Sequence, residues 1–278
     1  MSERMVAADG VEIVTEAFGD PAHPPVLLIM GAMASMLWWP DGFCRRLAGR
    51  GRHVIRYDNR DTGLSTAYPP GEPPYGFNDM AEDAIRVLDG YGLRRAHLVG
   101  MSAGGMIAQF VALAHPARIA SLTAISSTPV GVDTSNPPQA TAADTEEAAT
   151  GPAVDWSDRG QAIDAIAGDA RMIAGTAHPH DATAARRLAE RDYDRARNFA
   201  SATNHFLLKG GGPQRTIRDL TVPLLVIHGS ADPLFPFEHG QALAKAVRGA
   251  RLVKVEGGGH ELHRNDWPQI VDAIVAHH

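Results

Sequence analysis

Apolar and polar positions change period along the chain, and each change marks an element. Val26-Leu27-Leu28-Ile29-Met30 is an unbroken apolar run after a proline-containing loop, as expected of a parallel strand buried on both faces. His53 to Tyr57, Ala96 to Val99, Ile119 to Ile125, Pro223 to Ile227 and Ala250 to Val255 read as further strands. Between them the apolar residues fall at helical spacing. Phe43 to Leu47 is one such segment. A second is opened by Asn78 as cap, carries Met80, Ala84, Ile85 and Leu88 as its stripe, and closes at Gly90 and Gly92. Further helices follow Gly100 to Gly104, ending near His115-Pro116, separate the last two strands, and run from Trp267 to Ala276. At the start, Asp9-Gly10 between Met5 to Ala7 and Val11 to Glu16 predicts a β-hairpin. The polar side chains of Glu12, Thr15 and Glu16 put that hairpin at a sheet edge. Strands alternating with helices predict an α/β fold with a mostly parallel sheet covered on both faces.

From about Val130 the pattern changes. Gly131 to Asp155 is rich in Ala, Thr, Pro and acids, with no strong period. Gln161 to Ala174 reads as a helix, Ala182 to Asn198 as a charged one, and Phe199 to Leu208 adds apolar surface before Gly210-Gly211-Gly212-Pro213 breaks the chain. The expected division is a core of residues 1–129 and 216–278 with a mainly helical cap over 130–215. Ligands of such sheets lie beyond the carboxyl ends of the strands, so the insertion reads as a lid. Arg186, Arg187, Glu190, Arg191, Asp192 and Asp194 make its charged helix a solvated outer face.

Composition narrows the function classes. The chain has 278 residues, 44% hydrophobic and 21% charged, with net charge −6. No basic field is present to hold nucleic acid or an anionic membrane surface. The single cysteine, Cys44, forms no internal disulfide, which suits a reducing cytoplasm. The first residues lack the apolar core of a signal peptide, and no apolar run approaches the roughly 18 residues of a membrane span. A soluble cytoplasmic protein with a small-molecule partner is expected, its oligomeric state left open.

The chemistry centres on Gly100-Met101-Ser102-Ala103-Gly104, a Gly-x-Ser-x-Gly arrangement between a strand and a helix. A sharp turn there lifts the Ser102 hydroxyl clear of the sheet, and neighbouring backbone leaves no room for a Cβ at either glycine. A serine hydroxyl needs a base, and the base needs an orienting acid. Of thirteen histidines, His260 lies in a flexible glycine loop directly after the last apolar strand. Asp232 follows the preceding strand, with Asp133 as the alternative acid. Ser102, Asp232 and His260 then occur in the chain order this elbow type requires. His228 reads as a packed histidine bonded to backbone, and His178 with His180 is a weak metal pair, so no metal and no cofactor are assigned. The amide of Ala103 is one oxyanion donor, and that of Ala32, after the first long strand, is the second. Gly31, Met33, Trp38 and Met101 are the expected substrate-binding positions, Met30 and Met106 belong to the core, and Tyr75 and Phe77 are placed towards the pocket.

These residues resemble the α/β-hydrolase fold serine hydrolases over nearly all of residues 5–129 and 216–278. Within them the chain looks most like the aclacinomycin methylesterase group, through Leu28 to Gly31, Val54 to Ser65 with its Asp61-Thr62-Gly63 form, Pro74 to Phe77 and Ala84 to Gly92. The resemblance implies cleavage of a carboxylic ester, such as the methyl ester of a polycyclic aromatic substrate, through an acyl-serine intermediate. Serine at 102 excludes the alkyl-aspartate chemistry of the dehalogenase relatives. Two alternatives remain at this level: a cofactor-free haloperoxidase or perhydrolase activity on the same triad, and a ligand-binding homologue without catalysis.

Overall fold

Strand β1 (Arg4–Ala8) turns through Asp9 and Gly10, at φ 53° and 78°, into β2 (Val11–Phe18). Two consecutive positive φ values give the turn the twist of the flanking strands, which explains the Asp-Gly pair. Strands β3 (Pro25–Ile29), β4 (His53–Tyr57), β5 (Ala96–Met101), β6 (Ile119–Ile125), β7 (Leu224–Gly229) and β8 (Arg251–Val255) run parallel to one another. The computed structural model describes residues 3–132, 154–208 and 215–277, and within them the sheet order is β1-β2-β4-β3-β5-β6-β7-β8. Asp133, most of the acidic stretch after it and the Gly210 to Pro213 break lie outside the described residues. None of the described helices is long and apolar enough to cross a membrane.

The helices are α1 (Asp41–Ala48), α2 (Phe77–Gly90), α3 (Ala103–Ala114), α4 (Arg159–Met172), α5 (Ala182–Arg195), α6 (Phe237–Ala246) and α7 (Trp267–Val275). Alternate residues of each buried strand feed opposite layers. Leu27 and Ile29 pack with α2, α3 and α6, whereas Val26 and Leu28 pack with α1 and α7. Each such side chain contributes about 1.5–3 kcal/mol on burial, so the runs that read as strands also fix the two layers. Cys44 lies in the second layer, where burial pushes its thiol up to about 12 and keeps it inert.

Three local expectations are corrected. The hairpin does lie at a sheet edge, but through β1 alone; β2 pairs on both sides, and Thr15 is fully buried with its hydroxyl bonded to Arg4 O and Tyr91 OH, both at 2.9 Å. Helix α2 begins at Phe77, not after Asn78, because the Asp79 carboxylate accepts the Gly76 N–H at 2.8 Å and caps the helix from inside. On α5, Arg186 and Asp194 are exposed as expected, but Asp192 is buried and accepts the Trp38 Nε1–H at 2.6 Å.

Candidate active site

β5 ends at Met101 and α3 starts at Ala103, leaving Ser102 alone between them at φ 56°, ψ −127°. Such a backbone costs on the order of 1–3 kcal/mol for a non-glycine residue and persists only where its surroundings enforce it. Here the Ser102 N–H donates to Ile125 O, and Ser102 O accepts from Gly105 N and Ser127 Oγ, all at 2.9 Å. A Cβ on Gly100 would lie 2.2 Å from Gly104 O, and one on Gly104 would lie 2.1 Å from Ile29 O. The glycines are therefore required by close approach of backbone. A Cβ on Gly31 would come within 2.9 Å of Ser102 Cβ, so the loop after β3 runs directly beside the serine. Ala103 opens α3, and its N–H is one of the free donors of a helix N-terminus.

Parallel register carries the other two residues to the same sheet edge. Met101 pairs with Ile125, Ile125 with Ile227 and Gly229 with Val255. The loops beyond β7 and β8 are knitted together by Ser230 N to Val255 O and Ala231 N to Gly258 O, both 2.9 Å. His260 Nδ1 then lies 2.8 Å from Asp232 Oδ2, with both side chains buried. Asp232 Oδ1 accepts two amides, Leu234 and Phe235, at 2.9 Å each. Burial pushes the Asp232 carboxyl upward, but the His260 hydrogen bond and charge and the Phe235 amide outweigh it and hold it below the usual range. The carboxylate is thus ionised and its free oxygen points to Nδ1, which assigns the ring proton there and leaves Nε2 as the basic nitrogen. Between described residues the structure forms this Asp232–His260 half of a relay and not a direct Ser102–His260 hydrogen bond. Such bonds are often loose before substrate arrives.

The histidine loop is not free to move, as its glycines had suggested. His260 N donates to Ile173 O at 2.8 Å, Thr176 N and Ala177 N donate to Gly257 O at 2.7 and 3.0 Å, and Gly175 N donates to Glu261 Oε1 at 2.9 Å. A Cβ on Gly259 would meet Ile173 O at 2.3 Å. The glycines admit the chain that follows α4. His228, as expected, is a packed histidine, its Nε2–H donating to Phe235 O at 2.7 Å.

The loop after β3 is held by residues that sequence reasoning passed over. Asn59 Nδ2 donates to Met30 O, and Asp58 Oδ1 accepts from Met36 N, both at 2.9 Å. Met33, at φ 60°, donates its N–H to His205 Nδ1 at 3.0 Å, and His205 Nε2 lies 2.7 Å from Arg60 O. Asn204 donates to Asp61 Oδ2 at 2.9 Å and accepts from Gly71 N at 2.8 Å. The available signal was chemical: an amide and an imidazole, Asn204 and His205, within the Phe199 to Leu208 stretch, and an unusually polar turn at Asp58 to Asp61.

Of the expected pocket residues, Gly31 and Met33 lie on this loop, and partly buried Trp38 is tied to Asp192. Met101 instead packs inside the α1 and α7 layer with Met30, on the same face of β5 as Val99. Tyr75 is buried, its hydroxyl donating to Asp61, and Phe77 stacks on Phe110 at 5.6 Å, so both serve the core. His178 pairs not with His180 but with Asp266 at 2.8 Å, and stacks on His263. Donor atoms of these three lie within 4.8 Å of one another, yet a metal would have to displace the His178–Asp266 bond.

A family model described as alpha/beta hydrolase fold matches residues 24–265, and the chain belongs to that family. It is 35% identical to the rhodomycin D methylesterase DauP of Streptomyces sp. (strain C5), over 100% of this chain and 98% of that protein. Rhodomycin D methylesterase DnrP of Streptomyces peucetius is 34% identical over the same shares. Among solved structures, the esterase RhEst1 from Rhodococcus sp. ECU1013 superposes with TM-score 0.78 at 24% identity, covering 99% of this chain and 98% of that one. The bromoperoxidase from Bacillus anthracis gives TM-score 0.76 at 20% identity, covering 99% of each chain. These two likenesses concern the fold alone.

Proposed function

From membership of the alpha/beta hydrolase family, we propose that this chain is a serine-dependent carboxylic ester hydrolase that cleaves the methyl ester of an apolar, ring-bearing acid. Ester hydrolysis is supported by two methylesterase relatives aligned over the whole chain; the methyl ester and the ring system follow by analogy with those relatives. The observation that carries the mechanism is the buried Asp232–His260 bond at the sheet edge where Ser102 sits on its strained elbow.

Ser102 Oγ attacks the ester carbonyl as His260 Nε2 takes its proton. The alkoxide of the tetrahedral intermediate is stabilised by the amides of Ala103 and Ala32, each worth about 3 kcal/mol to the barrier. Its collapse expels the alcohol, which takes the proton from His260, and leaves acyl-Ser102. Water, activated by the same nitrogen, then releases the acid. Asp232 stays ionised and holds the imidazole in the productive tautomer. The described part of the insertion reaches the loop after β3 through His205 and Asp192, and Met33 and Trp38 on that loop are placed beside the substrate. A cytoplasmic setting fits the lone, buried thiol.

The test is hydrolysis of p-nitrophenyl butyrate by the wild type and by Ser102→Ala. The serine should account for most of the rate, on the order of 10⁶-fold in a well-coupled triad. Equal rates for the two proteins would end the proposal. A panel of methyl, ethyl and butyl esters of aryl acids then reads the preference for the small alcohol.

A further inference from the structure

The loop that offers Ala32 as oxyanion donor is fastened at three backbone points, and they do not come from the same part of the chain. Its two ends are held by the core, through Asn59 at Met30 O and Asp58 at Met36 N. Its middle, one residue from Ala32, is held by His205, which lies between α5 and β7. Met33 sits there in the left-handed region, φ 60°, where a methionine does not remain without an external partner.

His205 is suited to that task in one protonation state only. Arg60 O can only accept, so Nε2 must carry the proton that bridges the 2.7 Å gap. Nδ1 is then left with a lone pair, which is what the Met33 N–H needs at 3.0 Å. Burial disfavours the imidazolium, although the Arg60 carbonyl and the Asp61 charge oppose it. The ring is therefore a neutral relay with one donor and one acceptor, both used.

We infer that His205 is a positioning residue for the oxyanion hole: its Nδ1 lone pair fixes the Met33 amide and thereby aims the neighbouring Ala32 N–H at the developing oxyanion. The insertion thus supplies part of the catalytic machinery, in addition to shaping the pocket. This rests on the proposed Ser102 chemistry and Ala32 donor.

Two isosteric substitutions separate the nitrogens. In His205→Asn the amide oxygen can replace Nδ1 as acceptor, whereas in His205→Gln the amide nitrogen can replace Nε2 as donor and the acceptor is lost. With p-nitrophenyl butyrate, Gln should lower kcat about 10- to 100-fold, below the full 10²–10³ of removing a donor outright, with KM changed less than about threefold. Asn should restore kcat to within about fivefold of wild type. Amide hydrogen exchange at Met33 provides a readout independent of turnover: protected in wild type and Asn, unprotected in Gln. A folded Gln variant with wild-type kcat, equal losses in both variants, or an unprotected Met33 amide in wild type would each overturn the assignment. If wild type and Ser102→Ala hydrolyse the ester equally, the serine reading fails instead, and the exchange data still decide whether His205 holds Met33.

Discussion

Replacing Asp232 by Asn tests the acid on its geometry. Oδ1 of Asp232 accepts the Leu234 and Phe235 amides, while Oδ2 faces His260 Nδ1 at 2.8 Å. Two N–H donors can be met only by an oxygen, so in the variant the amide oxygen must keep that side and the NH₂ must turn to His260. A donor facing Nδ1 drives the ring proton to Nε2, the atom that has to take the Ser102 proton. The fold keeps its hydrogen bonds, but the base is presented in the wrong tautomer. The expected loss in kcat is about 10⁴-fold, or ~5.4 kcal/mol at ~1.36 kcal/mol per decade. Steady-state hydrolysis of p-nitrophenyl butyrate near neutral pH measures it, with near-unchanged circular dichroism and KM as companions. Turnover within tenfold of wild type would refute the tautomer argument and leave another carboxylate to be found.

Other outcomes follow from the same structure. Burial, with the Asp58 charge adding to it, raises Asp192 to about 6, against weaker opposition from its bonds to Ser35 and Trp38. A carboxyl whose folded pKa lies above its unfolded value lowers stability as pH rises through that window. Asp192→Asn keeps an acceptor for Trp38 and should stabilise the protein by about 1–3 kcal/mol at pH 7.5, an advantage that vanishes near pH 4; urea unfolding at both pH values checks it, and a destabilised variant at pH 7.5 contradicts it. Gly31→Ala would set a Cβ 2.9 Å from Ser102 Cβ, so the serine or the loop must shift. We expect more than tenfold loss of kcat with a stability loss of about 1–3 kcal/mol, read from turnover and thermal melting together. Replacing residues 130–215 by a short linker should abolish turnover even of small esters, because Met33, Trp38 and Asp61 lose His205, Asp192 and Asn204. Retained turnover of p-nitrophenyl acetate would show that the insertion only selects substrates.

Several features could be read from the chain alone because local physics dictates them. Continuous apolar runs can be satisfied only by strands buried on both faces, and helical stripes only by packing on such a sheet, so the layer architecture was legible. The Asp9-Gly10 turn and the Gly100 to Gly104 elbow were legible because few residues tolerate their backbone. The placement of Ser102, Asp232 and His260 beyond the carboxyl ends of β5, β7 and β8 was legible because parallel strands deliver those ends to one edge, whatever the intervening length.

What only the tertiary structure decided concerns polar atoms whose partners are distant in sequence. Asp192 looked like one charge among six on a solvated helix, since helical periodicity says which face a residue shares but not what that face meets. The glycines before His260 looked like flexibility, because close approach by the chain after α4 leaves no mark in their own neighbourhood. Met101 was assigned to the pocket by its nearness to Ser102, although alternation along β5 puts it on the Val99 face, inside the α1 and α7 layer. His205 was passed over because a neutral histidine acquires its role from the donor and acceptor that folding places at its two nitrogens, and those lie 172 and 145 residues away.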